Sequence, residues 1–219
     1  MRERVLIDND VLLKIAAWRL EDALLAAMTT SAGKPAMLSV ARHVVGRRLA
    51  RRGLADTPSA IAAFSRLCAA MAMLEPEPDE IVMAAGFEEA ATRAGLELDA
   101  GESQLLAMLI AREARLLLTG DKRAIVAIAG LGVVGAQARV GALDQLARLL
   151  AERIGVDALR SAICAERVAD TALAICFACH REECPAAEIT AGLDSYCGDI
   201  ERAAGAILIR TEELRALAA

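Results

Sequence analysis

The stretch Leu116-Leu117-Leu118-Thr119-Gly120-Asp121 decides how this chain is read. A short, unbroken apolar run closed by Thr-Gly-Asp is the spelling of a strand buried on both faces, as in a parallel sheet. Val5-Leu6-Ile7 has the same form and is followed by Asp8 and Asp10. Asp99 and Glu102 open a helix-like stretch from Gly101 to Arg112. Each of these acids stands where an apolar run gives way to a loop or a helix. In an open α/β sheet that rim is where ligands bind. Carboxylates gathered from separate strand ends repel one another unless a cation neutralises them. Mg²⁺ or Mn²⁺ suits such a set, because hard divalent ions take oxygen ligands. The pattern points to metal-dependent chemistry on phosphates.

The rest of the first 141 residues alternates between the two periods. Arg4 to Ile7 reads as a strand and Val11 to Ala27 as one helix, with Leu12, Ile15, Ala16 and Leu20 on a common face. Ala36 to Val40 is a second strand, leading into a helix that ends near Gly53. Thr57 is placed to cap a third helix with Pro58 at its first position, running to about Leu74. Glu75-Pro76-Glu77-Pro78 forces a break before a helix over Asp79 to Ala94. Arg115 to Thr119 is the clearest internal strand. The helix Lys122 to Ala129 and a short strand Gly132 to Val134 follow. Strands alternating with helices imply a mostly parallel sheet with helices on both faces.

From Ala142 the pattern is helical throughout: Leu143 to Ile154, Val156 to about Arg181, and Pro185 or Ala186 to Leu217. The expected division is therefore an α/β domain over 1–141 and an all-helical extension over 142–219. With no linker between them, the two could form one compact unit. The 219 residues are 56% hydrophobic but only 2% aromatic, so the core is built largely from Ala and Leu, which favour helices. A net charge of −5 gives no global attraction to nucleic acid, so any such binding needs a local patch. No signal-peptide core forms before Asp8, and no apolar stretch is long enough to span a bilayer. The expectation is a cytoplasmic protein with reduced cysteines and no disulfide framework.

Taken together, three motifs resemble the PIN-domain family. The string Val5-Leu6-Ile7-Asp8-Asn9-Asp10-Val11-Leu12-Leu13 is similar to its opening strand. Leu98-Asp99-Ala100-Gly101-Glu102 resembles the central acidic motif, and Leu117-Leu118-Thr119-Gly120-Asp121-Lys122-Arg123 the last one. They occur in the family's order over residues 4 to about 140. The resemblance implies a PIN-like three-layer sandwich and a Mg²⁺- or Mn²⁺-dependent ribonuclease. In bacteria such an enzyme is most often the toxin of a toxin–antitoxin pair, here a homodimer with a protein antitoxin. It carries catalytic and metal-ligand roles to Asp8, Asp99 and Asp121, and supporting roles to Asp10 and Glu102. The sequence departs from the family at Ser39 to Gly46, where the helix after the second strand lacks the usual Glu. Glu75, Glu77, Asp79 or Glu80 could substitute. The alternative is a degraded PIN-like module that regulates through protein or RNA contacts.

Each acid also has a plainer role. Asp99-Ala100-Gly101-Glu102 spells a capping box, Asp10 could cap the helix from Val11, and Asp121 the helix from Lys122. Asp8 ends a strand without starting an obvious helix. The basic run Arg42-His43-Val44-Val45-Gly46-Arg47-Arg48-Leu49-Ala50-Arg51-Arg52 stacks Arg47 over Arg51 and Arg48 over Arg52. Arg42 and these four could contact RNA phosphates or an acidic partner segment, or form a solvated face. Trp18, Phe64, Phe87, Phe177 and Tyr196 are scattered and read as core. Finally, Cys176, Cys179, His180 and Cys184 could bind zinc, with Cys197 an alternative ligand. On a helix, however, Cys176 and Cys179 share a face with Leu173, which favours core packing.

Overall fold

In the computed structural model, which describes residues 4–31 and 33–217, five short strands form one all-parallel sheet. The strands are β1 (Val5–Ile7), β2 (Ala36–Leu38), β3 (Ala72–Leu74), β4 (Leu116–Thr119) and β5 (Val140–Ala142), in the order β3-β2-β1-β4-β5. The chain winds outward from β1 to β3, then returns to lay β4 on the other side of β1. The order thus reverses between β1 and β4, and the crevice at their carboxyl ends is a switch point of the kind that binds ligands.

Alternate residues of each strand enter separate cores. Val5, Ile7, Met37, Leu116 and Leu118 face one, while Leu6, Ala36, Leu38, Leu117 and Val140 face the other. Such period-two sorting of a wholly apolar run is what burial on both faces requires. The first core takes α1 (Asn9–Trp18), α2 (Glu21–Met28), α3 (Ala41–Arg51) and α4 (Thr57–Ala70). The second takes α6 (Ala100–Ala111) and α7 (Lys122–Leu131), with Phe87 of α5 (Pro78–Ala94) packed against it. The molecule is therefore α/β with helices on both faces, compatible with the expected three layers.

The C-terminal helices add to these cores and build none of their own. Leu146 and Leu150 of α8 (Leu143–Ile154), Leu159 and Ile163 of α9 (Val156–Ala165) and Leu173 of α10 (Thr171–Cys176) enter the first core. The long helix α11 (Ala186–Ala204) bridges the two, with Ile189 and Leu193 in the first and Ile200 and Ala204 in the second. Past it, Leu208 forms a parallel bridge with Val140, and Ile209 donates its N–H to Val140 O at 2.8 Å. The extension thus covers the edge of β5 before ending in α12 (Thr211–Leu217).

Several sequence expectations are corrected. The helix expected over Val11 to Ala27 is two, because Arg19 takes a left-handed φ of 57° and turns the chain. The third helix stops at Ala70, and Ala72–Leu74, read as its last turn, is the edge strand β3. Its cap is Asp56 and not Thr57, with Ser59 N–H donating to the Asp56 carboxylate at 3.0 Å. Gly132 to Val134 is a turn, and the last strand is Val140–Ala142. A Val-Gly-Ala strand carries too little apolar length to announce itself, and only its pairing with β4 makes it one. The helix expected from Val156 to Arg181 is broken after Ala165 and ends at Cys176. Trp18, Phe64 and Phe177 are buried as expected. Among the described residues, no helix is long and apolar enough to cross a membrane.

Candidate functional site

Asp8 is the residue after β1, and its N–H donates to Leu118 O of β4 at 2.9 Å. The pairing of Ile7 with Leu118 sets Asp8 beside Thr119 at the sheet's carboxyl edge. Thr119 Oγ1 donates to Asp8 Oδ2 at 3.3 Å and accepts from the Asp121 N–H at 3.2 Å. One buried hydroxyl thus ties the acid after β1 to the acid after β4. Thr119 lies in the last acidic motif, and its role as a link between two strands needed the register to be seen.

All three motif acids cap helices. Asp8 Oδ1 accepts from Asn9 N–H at 2.6 Å, so α1 begins at Asn9 and its cap is Asp8 and not Asp10. Asp99 Oδ1 accepts from Glu102 N–H at 2.8 Å, and Glu102 Oε2 accepts from Asp99 N–H at 2.9 Å, completing the capping box. Asp121 Oδ1 accepts from Arg123 N–H at 2.8 Å at the head of α7. Capping and convergence are one arrangement here. The amino ends of α1, α6 and α7 come together at the switch point, and their N–H groups favour negative charge there.

Those N–H groups do not offset the burial. Burial, with the nearby Asp10 and Asp99 charges, pushes the Asp8 carboxyl up to about 6 despite the bonds from Asn9 and Asp10. Burial, with Asp99, Asp8 and Asp121 around it, pushes Glu102 up to about 8. Burial also acts upward on Asp121, but Arg123 outweighs it and holds that carboxyl below its ordinary value. Arg123 Nη2 reaches Asp121 Oδ2 at 2.9 Å, and its Nη1 reaches Glu97 at 2.7 Å. Leu96, Glu97, Asp99, Glu102, Asp121 and Arg123 line an open depression of about 320 Å³.

The contrast with the other buried acids is informative. Glu21 pairs with Arg66, Glu80 with Arg112, and Asp144 with Lys122. Glu166 is held by the N–H groups of Ala55 and Asp56, at 2.8 and 2.7 Å. Among the described residues, no Lys or Arg forms an ion pair with the buried Asp8 and Glu102, nor with the exposed Asp99. A buried acid without a cationic partner is costly, and it marks a place poised to take a proton or a cation.

The supporting residues are arranged differently from the expectation. Asp10 turns to Lys14, 2.5 Å away, and to Arg48 at 3.6 Å. Lys14, which no sequence motif singles out, is buried and also pairs with Asp170 at 2.7 Å. Of the substitutes considered for the absent Glu, Glu80 is committed to Arg112 and to the Glu77 N–H, while the Glu77 side chain is exposed. Glu75 accepts from Ser39 Oγ at 3.4 Å, just past β2. Of the basic run, Arg52 is spent on the carbonyls of Val168 and Ala169, at 3.3 and 2.8 Å. With Arg48 on Asp10, the exposed Arg42, Arg47 and Arg51 remain for an outside partner.

In chemistry the acids suit a hard divalent cation, since Asp8, Asp99, Glu102 and Asp121 offer only oxygens. In spacing they do not form a ready cage. Among the described residues, no group of three or more His, Cys, Asp or Glu side chains is gathered closely enough to hold a metal ion. The zinc expectation meets the same finding and a second one. Cys179 is joined to Cys164 in a disulfide, which removes it as a thiolate ligand and also corrects the expectation of fully reduced cysteines. Burial pushes the Cys176 thiol up to about 11, as befits a packing residue. Cys184 lies against Glu188 and Arg181. The chain matches no protein-family model, and no curated protein or solved structure was found to be similar to it.

Proposed function

We propose that this protein is a divalent-metal-dependent phosphodiesterase acting on RNA, with a PIN-like fold and its site at the β1/β4 switch point. One observation carries the reading: Asp8 and Glu102 are buried and raised, and have no cationic side chain paired with them. Asp8, Asp99 and Asp121 would hold the ion, and Mg²⁺ or Mn²⁺ would there activate water and neutralise charge on the phosphoryl oxygens. Glu102 keeps Asp99 in place through the capping box and can hold a proton near neutral pH. Thr119 fixes the orientation of Asp8. Arg42, Arg47 and Arg51 on α3 offer unpaired charge to a phosphate backbone. A toxin paired with an antitoxin, and a homodimer, remain part of this proposal on the resemblance of the three motifs.

A second reading has its own observation. Arg123 already neutralises Asp121, Lys14 and Arg48 neutralise Asp10, and α3 offers no acid. A module so balanced would bind RNA or protein through α3 without cleaving. Mn²⁺ titration by calorimetry, on wild type and Asp8→Asn, with an RNA-cleavage assay beside it, separates the two. Binding that Asp8→Asn abolishes, together with metal-dependent cleavage, is the expected result. Binding without cleavage selects the module, and no binding in the wild type overturns the metal site.

A further inference from the structure

The second CxxC cysteine does not pair with the first. Cys179, just past α10, is bonded instead to Cys164 on α9, closing a loop over a sequence separation of 15. Both cysteines are partly exposed at the edge of the first core.

What lies between them is not spare loop. Glu166, 1% exposed, accepts from the N–H groups of Ala55 and Asp56 just ahead of α4. The carbonyls of Val168 and Ala169 accept from Arg52 at the end of α3. Asp170 pairs with Lys14 of α1, whose other partner is Asp10. In five consecutive residues the closed loop thus grips α1, the end of α3 and the head of α4 by polar contacts, with Ala169 buried in the first core beside them. Arg160 of α9 spans the same two ends as the disulfide, donating to the carbonyls of Phe177, Ala178 and Arg181. The disulfide adds covalent closure to these contacts, which limits the conformations open to residues 166–170 once they release.

We propose that Cys164–Cys179 is a reversible thiol–disulfide site acting as a clasp, which a dithiol opens to loosen residues 166–170 from α1, α3 and α4. In the step, one thiolate of the dithiol attacks a cystine sulfur and forms a mixed disulfide. The second thiol of the reagent displaces the remaining protein sulfur. Cys164 and Cys179 each end as a thiol, and the reagent leaves as a disulfide two electrons more oxidised. Partly exposed disulfides are of the kind that turn over in this way, whereas buried structural ones resist it. Opening the clasp frees Lys14 from Asp170 beside Gly120, against which Lys14 and Asp10 pack. That consequence for the acidic site rests on the function proposed above, while the clasp itself does not.

The test uses the full chain, air-oxidised or treated with dithiothreitol. Thiols are alkylated in denaturant and counted by mass spectrometry, and amide exchange is followed in the native state. Six cysteines with four free predict four labelled thiols before treatment and six after it. Exchange of the Ala55, Asp56 and Leu173 amides should quicken by about tenfold or more on reduction, while that of Leu117 in β4 holds. The Cys164→Ser/Cys179→Ser double variant should exchange as the reduced wild type does. Six labelled thiols in the oxidised sample, or equal exchange in the two forms, would overturn the proposal. Neither readout uses RNA or metal, so the clasp can fail while the nuclease reading stands, and the reverse.

Discussion

Replacing Glu102 by Gln should remove the part of the protein's pH-dependent stability that this carboxyl carries. Glu102 is 8% exposed, and its folded pKa of about 8 stands above an ordinary value of 4.5. The folded chain therefore binds this proton more tightly than the unfolded chain does. The corresponding stability is fully present below pH 4.5 and is lost as the pH rises through 8. At 1.36 kcal/mol per pH unit, the loss is about 3 kcal/mol by pH 7 and about 5 kcal/mol above pH 8. Gln keeps an oxygen for the Asp99 N–H and has no proton to lose. Urea unfolding at pH 5 and pH 8.5 measures both chains, with the slope m expected unchanged. The wild type should fall relative to Glu102→Gln by a few kcal/mol between the two pH values. Saturating Mn²⁺ should shrink that fall, since a bound cation favours the ionised carboxylate. Parallel pH profiles for the two chains without metal would refute the reasoning, because they would mean that Glu102 is neither desolvated nor crowded by its neighbours.

Two further substitutions test the scaffold around the site. Lys14→Met leaves Asp10 and Asp170 facing each other across an apolar side chain, and should cost about 3–5 kcal/mol in thermal or urea unfolding. Adding Asp170→Asn should recover part of that cost, and full additivity of the two changes would contradict a shared ion pair. Gly120→Ala drives a methyl group into Asp10 Oδ2 and to 3.3 Å from Lys14 Nζ. It should destabilise by about 1–3 kcal/mol, with near-neutral stability counting against so close an approach.

Burial of Asp8 and Glu102 is the source of their unusual chemistry, and burial is a property of packing. Asp8 is a local residue in the sequence, an acid closing Val5-Leu6-Ile7. Its neighbours Asp99 and Thr119 come from segments about a hundred residues away, Thr119 brought by the parallel pairing of β1 with β4 and Asp99 by the packing of α6 on the sheet. The same holds for Lys14, which reads as a charge inside an apolar helix until Asp170 arrives from α10 to share it with Asp10. Glu166 gives no sign in the sequence that it caps two amides more than a hundred residues upstream.

Features that depend only on near neighbours along the chain are legible in the order of residues. Unbroken apolar runs became strands buried on both faces, because no residue in them could tolerate water. Asp99-Ala100-Gly101-Glu102 formed its capping box, since both halves of that bond lie within one turn. Pro76 and Pro78 ended one element and began another because proline cannot donate. Tertiary structure alone decided the rest: that Ala72–Leu74 and Val140–Ala142 are strands, that Cys179 pairs with Cys164, and that Asp10 belongs to Lys14. Three-residue strands have too little propensity to form unaided and exist because a neighbour supplies their hydrogen bonds. Likewise, a carboxylate's partner is whichever cation packing brings within reach, and that proximity has no trace in the order of residues along the chain.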